Sequence, residues 1–228
     1  MLASYKQQQR RWAQGSTQTL RKLASALWRS RRPWWHRLYA FFHLGGYAAS
    51  LPLLALLVLT LPLAGLPAQP WPFNLPDGFA LVTLLSPLAL FALAQYRLSG
   101  GSGLRRLWAL PILILLSLGI SPTLAGAVLA GLRRRGGVFE RTPKQGEAGS
   151  LAALLENTAR SDLLPEALAL VYAGLCLLVI AATGRWDLAL LPMLFVVGSG
   201  AVLAQELREQ RQSRRAPTMS GASRPEPV

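Results

Sequence analysis

The sequence predicts an all-α fold: a polytopic helical membrane domain with an N-terminal amphipathic interfacial helix. Charges in this 228-residue chain are clustered, and no Asp, Glu, Lys or Arg occurs in residues 40–65, 78–96, 107–131 or 188–205. Residues 165–183 contain one charged residue, Glu166. Runs of about 20 apolar residues have the length that an α-helix needs to cross the hydrocarbon core of a bilayer. A soluble domain would interrupt such runs with polar positions at the period of a helix or a strand.

Basic residues give the chain a formal net charge of +14. They flank the apolar runs, where the positive-inside rule places them and where they can attract anionic lipid head groups. We therefore expect membrane lipids as partners and no nucleic acid. The single cysteine, Cys176, lies inside an apolar run and allows neither a disulfide framework nor a cysteine-based metal site. We expect it to be a small buried apolar residue.

Residues 1–39 form the first predicted segment, an amphipathic helix lying in the membrane interface. The segment contains Lys and Arg but no acid. Apolar residues recur at helical spacing along one face, at Leu2, Tyr5, Trp12, Leu20, Leu23 and Leu27. The basic residues Lys6, Arg10, Arg21 and Arg29 fall largely outside this stripe, as in a helix that lies in the interface plane. Pro33 is expected to end the helix.

Residues 40–131 are predicted to contain two membrane spans, 40–65 and 78–96, and one embedded segment. The basic, glycine-rich stretch 97–106 is expected to be a flexible cytosolic loop. Arginines flank the run 107–131 on both sides, so a single crossing would place one basic cluster on the far side of the membrane. Because proline removes a backbone donor, we expect Ser121-Pro122 to divide this run into a re-entrant or interfacial pair of short helices. A full crossing is the alternative.

The last three predicted segments follow this region. Residues 132–164 are predicted to form a polar cytosolic loop, and residues 165–205 a two-helix membrane hairpin that turns at Gly184-Arg185. The basic tail 206–228 is expected to be disordered. This arrangement predicts a multi-pass protein of the inner (cytoplasmic) membrane with both termini in the cytosol.

Gln8, Arg11 and Trp12 form the first pattern that could carry chemistry. Gln8 and Arg11 lie about one helical turn apart and share a face. The planar guanidinium of Arg11 suits a diphosphate, and the flat indole of Trp12 suits a sugar ring. Cations such as Arg11 also stabilise the negative charge that develops on a leaving phosphate group. A membrane-surface helix anchored by its Arg and Trp side chains is the alternative explanation.

Residues 5–16 read Y-K-Q-Q-Q-R-R-W-A-Q-G-S. They resemble the Q-x-x-R-W signature of processive family 2 glycosyltransferases, the cellulose-synthase-like and mannan-synthase-like membrane enzymes. The resemblance implies that Trp12 supports the acceptor sugar, whereas Arg11 and Gln8 hold the donor diphosphate. Gln14 departs from the family pattern, which usually has a basic residue before the glycine, and this change removes one possible phosphate contact.

Residues 137–144 read G-V-F-E-R-T-P-K. They resemble the F-x-R-T-P-K segment of mannan-synthase-like members and the F-x-V-T-x-K gating loop of cellulose synthases. The resemblance implies a cytosolic loop, with Phe139, Arg141, Thr142 and Lys144 as its signature residues, that closes over bound sugar nucleotide. Thr hydroxyls and Lys ammonium groups can both bind phosphate oxygens. An ordinary basic loop between membrane segments is the alternative interpretation.

Two ionisable residues lie near the ends of predicted spans. His43 lies early in the first span, where an ionisable residue is either a functional candidate or a hydrogen-bonded packing histidine. Glu166 begins a later span, and we expect it to be an N-terminal acid favoured by the helix dipole.

Carboxylates that the family uses for metal binding and general-base catalysis precede its Q-x-x-R-W signature, but no acid precedes Asp77 here. We therefore expect the C-terminal membrane part of a glycosyltransferase, without its catalytic domain and inactive alone. The intact enzyme would use a nucleotide sugar (a UDP-sugar or GDP-mannose) and a glycan or lipid acceptor. Its divalent metal, Mg or Mn, would lie in the catalytic domain, and this chain itself would hold no cofactor. The alternative is a non-enzymatic membrane subunit that works with a separate catalytic chain.

Overall fold

The computed structural model describes residues 2–67, 77–133 and 162–215. The α-helices in these ranges are α1 (Leu2–Arg29), α2 (Trp34–Gly45), α3 (Ser50–Ala64), α4 (Asp77–Ser99), α5 (Leu110–Arg133), α6 (Leu164–Thr183) and α7 (Leu190–Arg215). Short 3₁₀ helices span Gly46–Ala49, Gly100–Ala109 and Trp186–Leu188. No β-strand occurs in the described ranges, and the predicted all-α fold is confirmed.

Within the described ranges, four helical stretches are long and apolar enough to cross a membrane, as the predicted polytopic domain requires. They are Trp34–Ala64, Leu88–Arg133, Leu164–Thr183 and Leu190–Gln212. Large apolar side chains on their outer faces remain exposed in the isolated chain; on α6, for example, Leu168, Val171 and Leu178 are more than half exposed. Such outward-facing apolar surface suits contact with lipid acyl chains.

Helix α5 occupies the centre of the bundle and packs against α1, α3, α6 and α7. One core cluster joins four helices through Leu57 of α3, Leu118 of α5, Ala169 and Ala173 of α6, and Phe195 of α7. A second cluster, Ala13, Ala127 and Val128, joins α1 to α5. Alanines contribute to both clusters, because small residues let helix backbones approach closely where lipid offers no hydrophobic driving force.

Helix α5 corrects the prediction for residues 107–131. It is a single helix that continues through Pro122, so the expected pair of short helices is wrong. The proline leaves the Leu118 carbonyl without its usual backbone donor, and the Ser121 hydroxyl donates a hydrogen bond to that oxygen at 2.7 Å. This side-chain donor explains why the helix is not divided. Its 24 residues correspond to about 36 Å, a length that fits the alternative of a full crossing.

Residues 97–106 also differ from the prediction of a flexible loop. Helix α4 extends to Ser99, and Gly100–Ala109 then forms a 3₁₀ helix that leads into α5. Gly100 has a φ of +60°, which a glycine adopts without steric cost at this change of direction.

The predicted hairpin at 165–205 is present as α6 and α7. Its turn follows Thr183, where Gly184 adopts the left-handed conformation with a φ of +71°. The prediction of a disordered tail from residue 206 is wrong for residues 206–215, because α7 continues to Arg215. The last turns of α7 pack against α1, and Glu206 is fully buried there. Residues 216–228, and most of the predicted loop 132–164, lie outside the described ranges.

Candidate functional site

Helix α1 carries the Q-x-x-R-W residues, and it stops before Pro33, the residue that was expected to end it. It ends at Arg29, and Pro33 precedes the first residue of α2. Positions i, i+3 and i+4 share one face of a helix, so Gln8, Arg11 and Trp12 lie together. Trp12 is 53% exposed, and Gln8 and Arg11 are half-buried. The structure therefore brings the three predicted residues together on an accessible face.

The opposite face of α1 packs against the bundle. Its buried residues are Ala3, Lys6, Ala13 and Thr17. The aromatic and leucine stripe predicted from the sequence is a different face, on which Tyr5, Trp12 and Leu23 remain exposed. Exposure of this stripe fits a helix that presents apolar side chains to the membrane interface. Lys6 lies outside this stripe, as predicted, but its burial against the bundle was not predicted.

Close backbone approach holds α1 on α5. Gly131 of α5 faces Gln14 and Thr17 of α1, and a Cβ atom at Gly131 would lie 2.8 Å from the Gln14 carbonyl oxygen. Arg21 donates a hydrogen bond to the Leu132 carbonyl oxygen near the end of α5. The Tyr47 hydroxyl donates to Gln9 Oε1 at 2.8 Å, which adds a contact from the segment before α3.

Lys6 is only 3% exposed, and its ammonium group is bound by residues of two other helices, α6 and α7. Its Nζ lies 3.1 Å from Glu166 Oε2 on α6 and 2.8 Å from Glu206 Oε2 on α7. It also donates to the Asp162 carbonyl oxygen at 2.8 Å. The Thr123 hydroxyl of α5 donates to Glu166 Oε1 at 2.6 Å. We call Lys6, Glu166, Glu206 and Thr123 the Lys6 cluster.

The carboxylate of Glu209 completes this region by binding the start of α1. It accepts hydrogen bonds from the backbone N–H groups of Leu2 at 2.9 Å and Ala3 at 3.3 Å. The first N–H groups of a helix have no partner within the helix, and a carboxylate at this end also interacts favourably with the helix dipole. The beginning of α1 and the end of α7 are thereby held together.

The sequence did not predict that Lys6, Glu166, Glu206 and Thr123 form one cluster. Glu166 does lie in the first turn of α6, as predicted, but its burial and its partners were not expected. One signal was available: Glu166 and Glu206 are acids bordering the two apolar segments of the hairpin, and buried charges are almost always paired. The sequence did not indicate that the partner would be Lys6.

The sequence also singled out His43, Cys176 and the residues of a gating loop. His43 is exposed, and its ring stacks on that of Tyr39 with centroids 5.9 Å apart. Cys176 is buried, as predicted. Phe139, Arg141, Thr142 and Lys144, the residues of the predicted gating loop, lie outside the described ranges, so their role stays a prediction.

The far end of the bundle has its own polar contact, centred on Arg185 in the hairpin turn. Its guanidinium donates two hydrogen bonds to Asp187, at 3.0 and 2.9 Å. It also donates to the carbonyl oxygens of Leu63 and Leu66 at 3.1 and 2.6 Å, at the end of α3. Hydrogen bonds from Arg185 lower the pKa of the Asp187 carboxyl below its ordinary value.

A divalent metal has no suitable group of ligands in the described part of the chain, where no cluster of three or more His, Cys, Asp or Glu residues occurs. The Lys6 cluster does not fit a metal, because an ammonium lies between its carboxylates.

Comparisons with protein-family models, with curated proteins and with solved structures found no match to this chain.

Proposed function

We propose that this chain is the membrane part of a processive-type family 2 glycosyltransferase, in which α1 is the platform beside the sugar-transfer site. The observation that carries the proposal is the Q-x-x-R-W resemblance, located on an exposed helix face. Support comes from the opposite face of α1, which packs on α5 and contacts α6 and α7, helices that fit a membrane domain. A helix fixed in this way presents Gln8, Arg11 and Trp12 from a rigid support, as a binding site requires.

The proposed roles follow from side-chain chemistry. The exposed indole of Trp12 stacks on the acceptor sugar, because its flat apolar surface matches the C–H face of a pyranose ring. Arg11 donates paired hydrogen bonds to phosphate oxygens and stabilises charge on the leaving diphosphate. Gln8, on the same face, adds an amide donor. A general base and the metal-binding carboxylates would come from a catalytic domain, on this chain or on another.

We further propose an inner-membrane location with both ends of the chain on the cytosolic side. The contact between Glu209 near the end of α7 and the first residues of α1 supports the same side for both ends. Lys and Arg predominate in the N-terminal segment, as expected for cytosolic positions beside membrane spans.

Sugar transfer in source-cell membranes tests the proposal. Membranes from cells with wild-type, Trp12→Ala or Trp28→Ala alleles are incubated with radiolabelled UDP-glucose or GDP-mannose, and incorporation into polymer or lipid is counted. Trp28 is the matched control, because it lies on the same helix and is 66% exposed. We expect Trp12→Ala alone to reduce incorporation, by about tenfold or more. Equal incorporation by all three alleles, at equal protein levels, would contradict the proposal.

The purified chain provides a second test. In lipid nanodiscs it should bind UDP or GDP through Arg11, and Arg11→Ala should lose this binding, whereas Arg10→Ala should keep it. We expect no sugar transfer by the purified chain, since no acid precedes Asp77. An antibody against residues 206–228 can then show whether the native product is heavier than 24.8 kDa or co-purifies with a separate catalytic chain.

A further inference from the structure

We infer that Lys6 is a positioning residue, whose buried ammonium fixes the rotation of α1 and thereby the direction in which Gln8, Arg11 and Trp12 point. The inference rests on the proposed function only for the role of those three residues. The positioning itself follows from the contacts of Lys6.

Lys6 and the Q-x-x-R-W residues lie on different sides of α1. Successive residues of an α-helix are about 100° apart, so Gln8, two residues after Lys6, lies on the far side of the helix from it. Arg11 and Trp12, five and six residues after Lys6, are also displaced by well over a right angle. Lys6 therefore lies against the bundle, whereas Gln8, Arg11 and Trp12 point away from it. Any rotation of α1 would move Lys6 and these three residues together.

Among the buried side chains of α1, Lys6 is the one that can best fix the rotation of the helix. The other buried residues of the packed face are Ala3, Ala13 and Thr17. Alanine contacts are short and non-directional, and a small rotation keeps much of their packing. The Thr17 hydroxyl donates to the Ala13 carbonyl of its own helix, at 2.7 Å. Lys6, by contrast, is a buried side chain of this face that makes three directional hydrogen bonds to other elements. The other directional contacts of α1 come from Gln9 and Arg21, which are not buried, and from its first backbone N–H groups.

Lys6 connects α1 to several other parts of the bundle. Its partners belong to both helices of the hairpin, and Thr123 extends the Lys6 cluster to α5. Asp162, whose carbonyl oxygen Lys6 binds, lies just before α6. Arg21 of the same helix binds the Leu132 carbonyl oxygen near the end of α5. Helix α1 therefore holds both described ends of the connection between α5 and α6.

Buried ionic clusters are often not needed for stability, since neutral groups of similar shape can replace all members at little cost. Removing one member alone is costly, because the remaining charges stay buried. Replacing all charged members by neutral groups therefore separates two roles of the cluster. Stability should be largely kept, whereas the bonds that set the position of α1 are lost.

Distance measurements by electron spin resonance test the inference on the full chain in nanodiscs, with Cys176→Ala as the background. Spin labels at Thr19 of α1 and Val171 of α6 report the position of α1, since both sites are exposed. Labels at Val171 and Val197 report the α6–α7 hairpin as the matched control. The variants are Lys6→Met and the neutral triple variant Lys6→Met, Glu166→Gln, Glu206→Gln.

Lys6→Met should lower the Tm by about 5 °C or more and broaden or shift the α1–α6 distance. The triple variant should recover most of the Tm but retain the broadened α1–α6 distance, with the hairpin distance unchanged. If Lys6→Met does not fold, the triple variant carries the test. A triple variant with the wild-type α1–α6 distance would overturn the inference. Nucleotide binding by the wild-type chain is measured separately, so failure of the proposed function is distinguishable from failure of the positioning role.

Discussion

Gly119 of α5 and Gly198 of α7 lie with their backbones in contact, and neither position has room for a side chain. A Cβ atom at Gly198 would lie 2.5 Å from the Leu115 carbonyl oxygen, and one at Gly119 would lie 2.7 Å from the Gly198 carbonyl carbon. The obstructing atoms belong to backbone, which cannot move aside as a flexible side chain can. This contact sets the distance between the central helix and the second helix of the hairpin.

Gly119→Ala should destabilise the protein by about 1–3 kcal/mol, because the added methyl group forces the two helices apart. Gly126→Ala is the matched control on the same helix, since nothing lies within 4 Å of its Cβ position. The control should be neutral or should stabilise by up to about 1 kcal/mol, as alanine favours the helix. Thermal unfolding in detergent measures both effects. A Gly119→Ala variant as stable as the control would show that α5 and α7 are not in backbone contact.

Thr123→Val should destabilise the protein by about 1–3 kcal/mol, because a buried oxygen of Glu166 loses its hydroxyl donor. Thr60→Val is the comparison: Thr60 is also buried, but its hydroxyl donates to the Leu56 carbonyl of its own helix at 2.9 Å. That carbonyl keeps its backbone bond, so this change should cost less. Denaturation of the two variants under identical conditions checks the order, and equal losses would argue against the Thr123–Glu166 bond.

Gly131→Val should release α1 from the bundle, because the new side chain would occupy the space of Gln14 and Thr17. Limited trypsin digestion detects the release as faster cleavage after the basic residues of α1, since protease cleaves opened segments. Gly126→Val, on an exposed position of the same helix, controls for the lower helix propensity of valine. Equal cleavage of both variants would mean that α1 does not depend on this contact.

Acid should weaken the contact at the hairpin turn. The Asp187 pKa is lowered by its hydrogen bonds to Arg185, so this carboxylate stabilises the folded state above the ordinary Asp pKa of about 3.9. The stabilisation is lost as the pH falls through the lowered folded-state pKa. Carboxyl NMR titration should show Asp187 below its ordinary pKa in the wild type and near it in Arg185→Gln. An unchanged pKa in that variant would contradict the pairing.

The sequence predicted the helical boundaries well where local chemistry decides them. Pro33 separates α1 from α2 because a proline seldom continues a helix, and Gly184 ends α6 because glycine adopts a positive φ without strain. The break expected at Pro122 did not occur. There the hydroxyl of the neighbouring Ser121 replaced the missing backbone donor. The pattern of apolar residues does not predict that hydrogen bond.

Composition and periodicity alone determined that the chain is all-α, that its helices are long and apolar enough to span a membrane, and that Gln8, Arg11 and Trp12 share a face. These properties depend on residues that are close in sequence. Only the tertiary structure decided which face of α1 is buried, because the partners of Lys6 are 160 and 200 residues away. The amphipathic pattern marks Lys6 as polar and therefore predicts exposure. Two buried carboxylates reverse that outcome, since a charge leaves water only where a fold supplies its counter-charges.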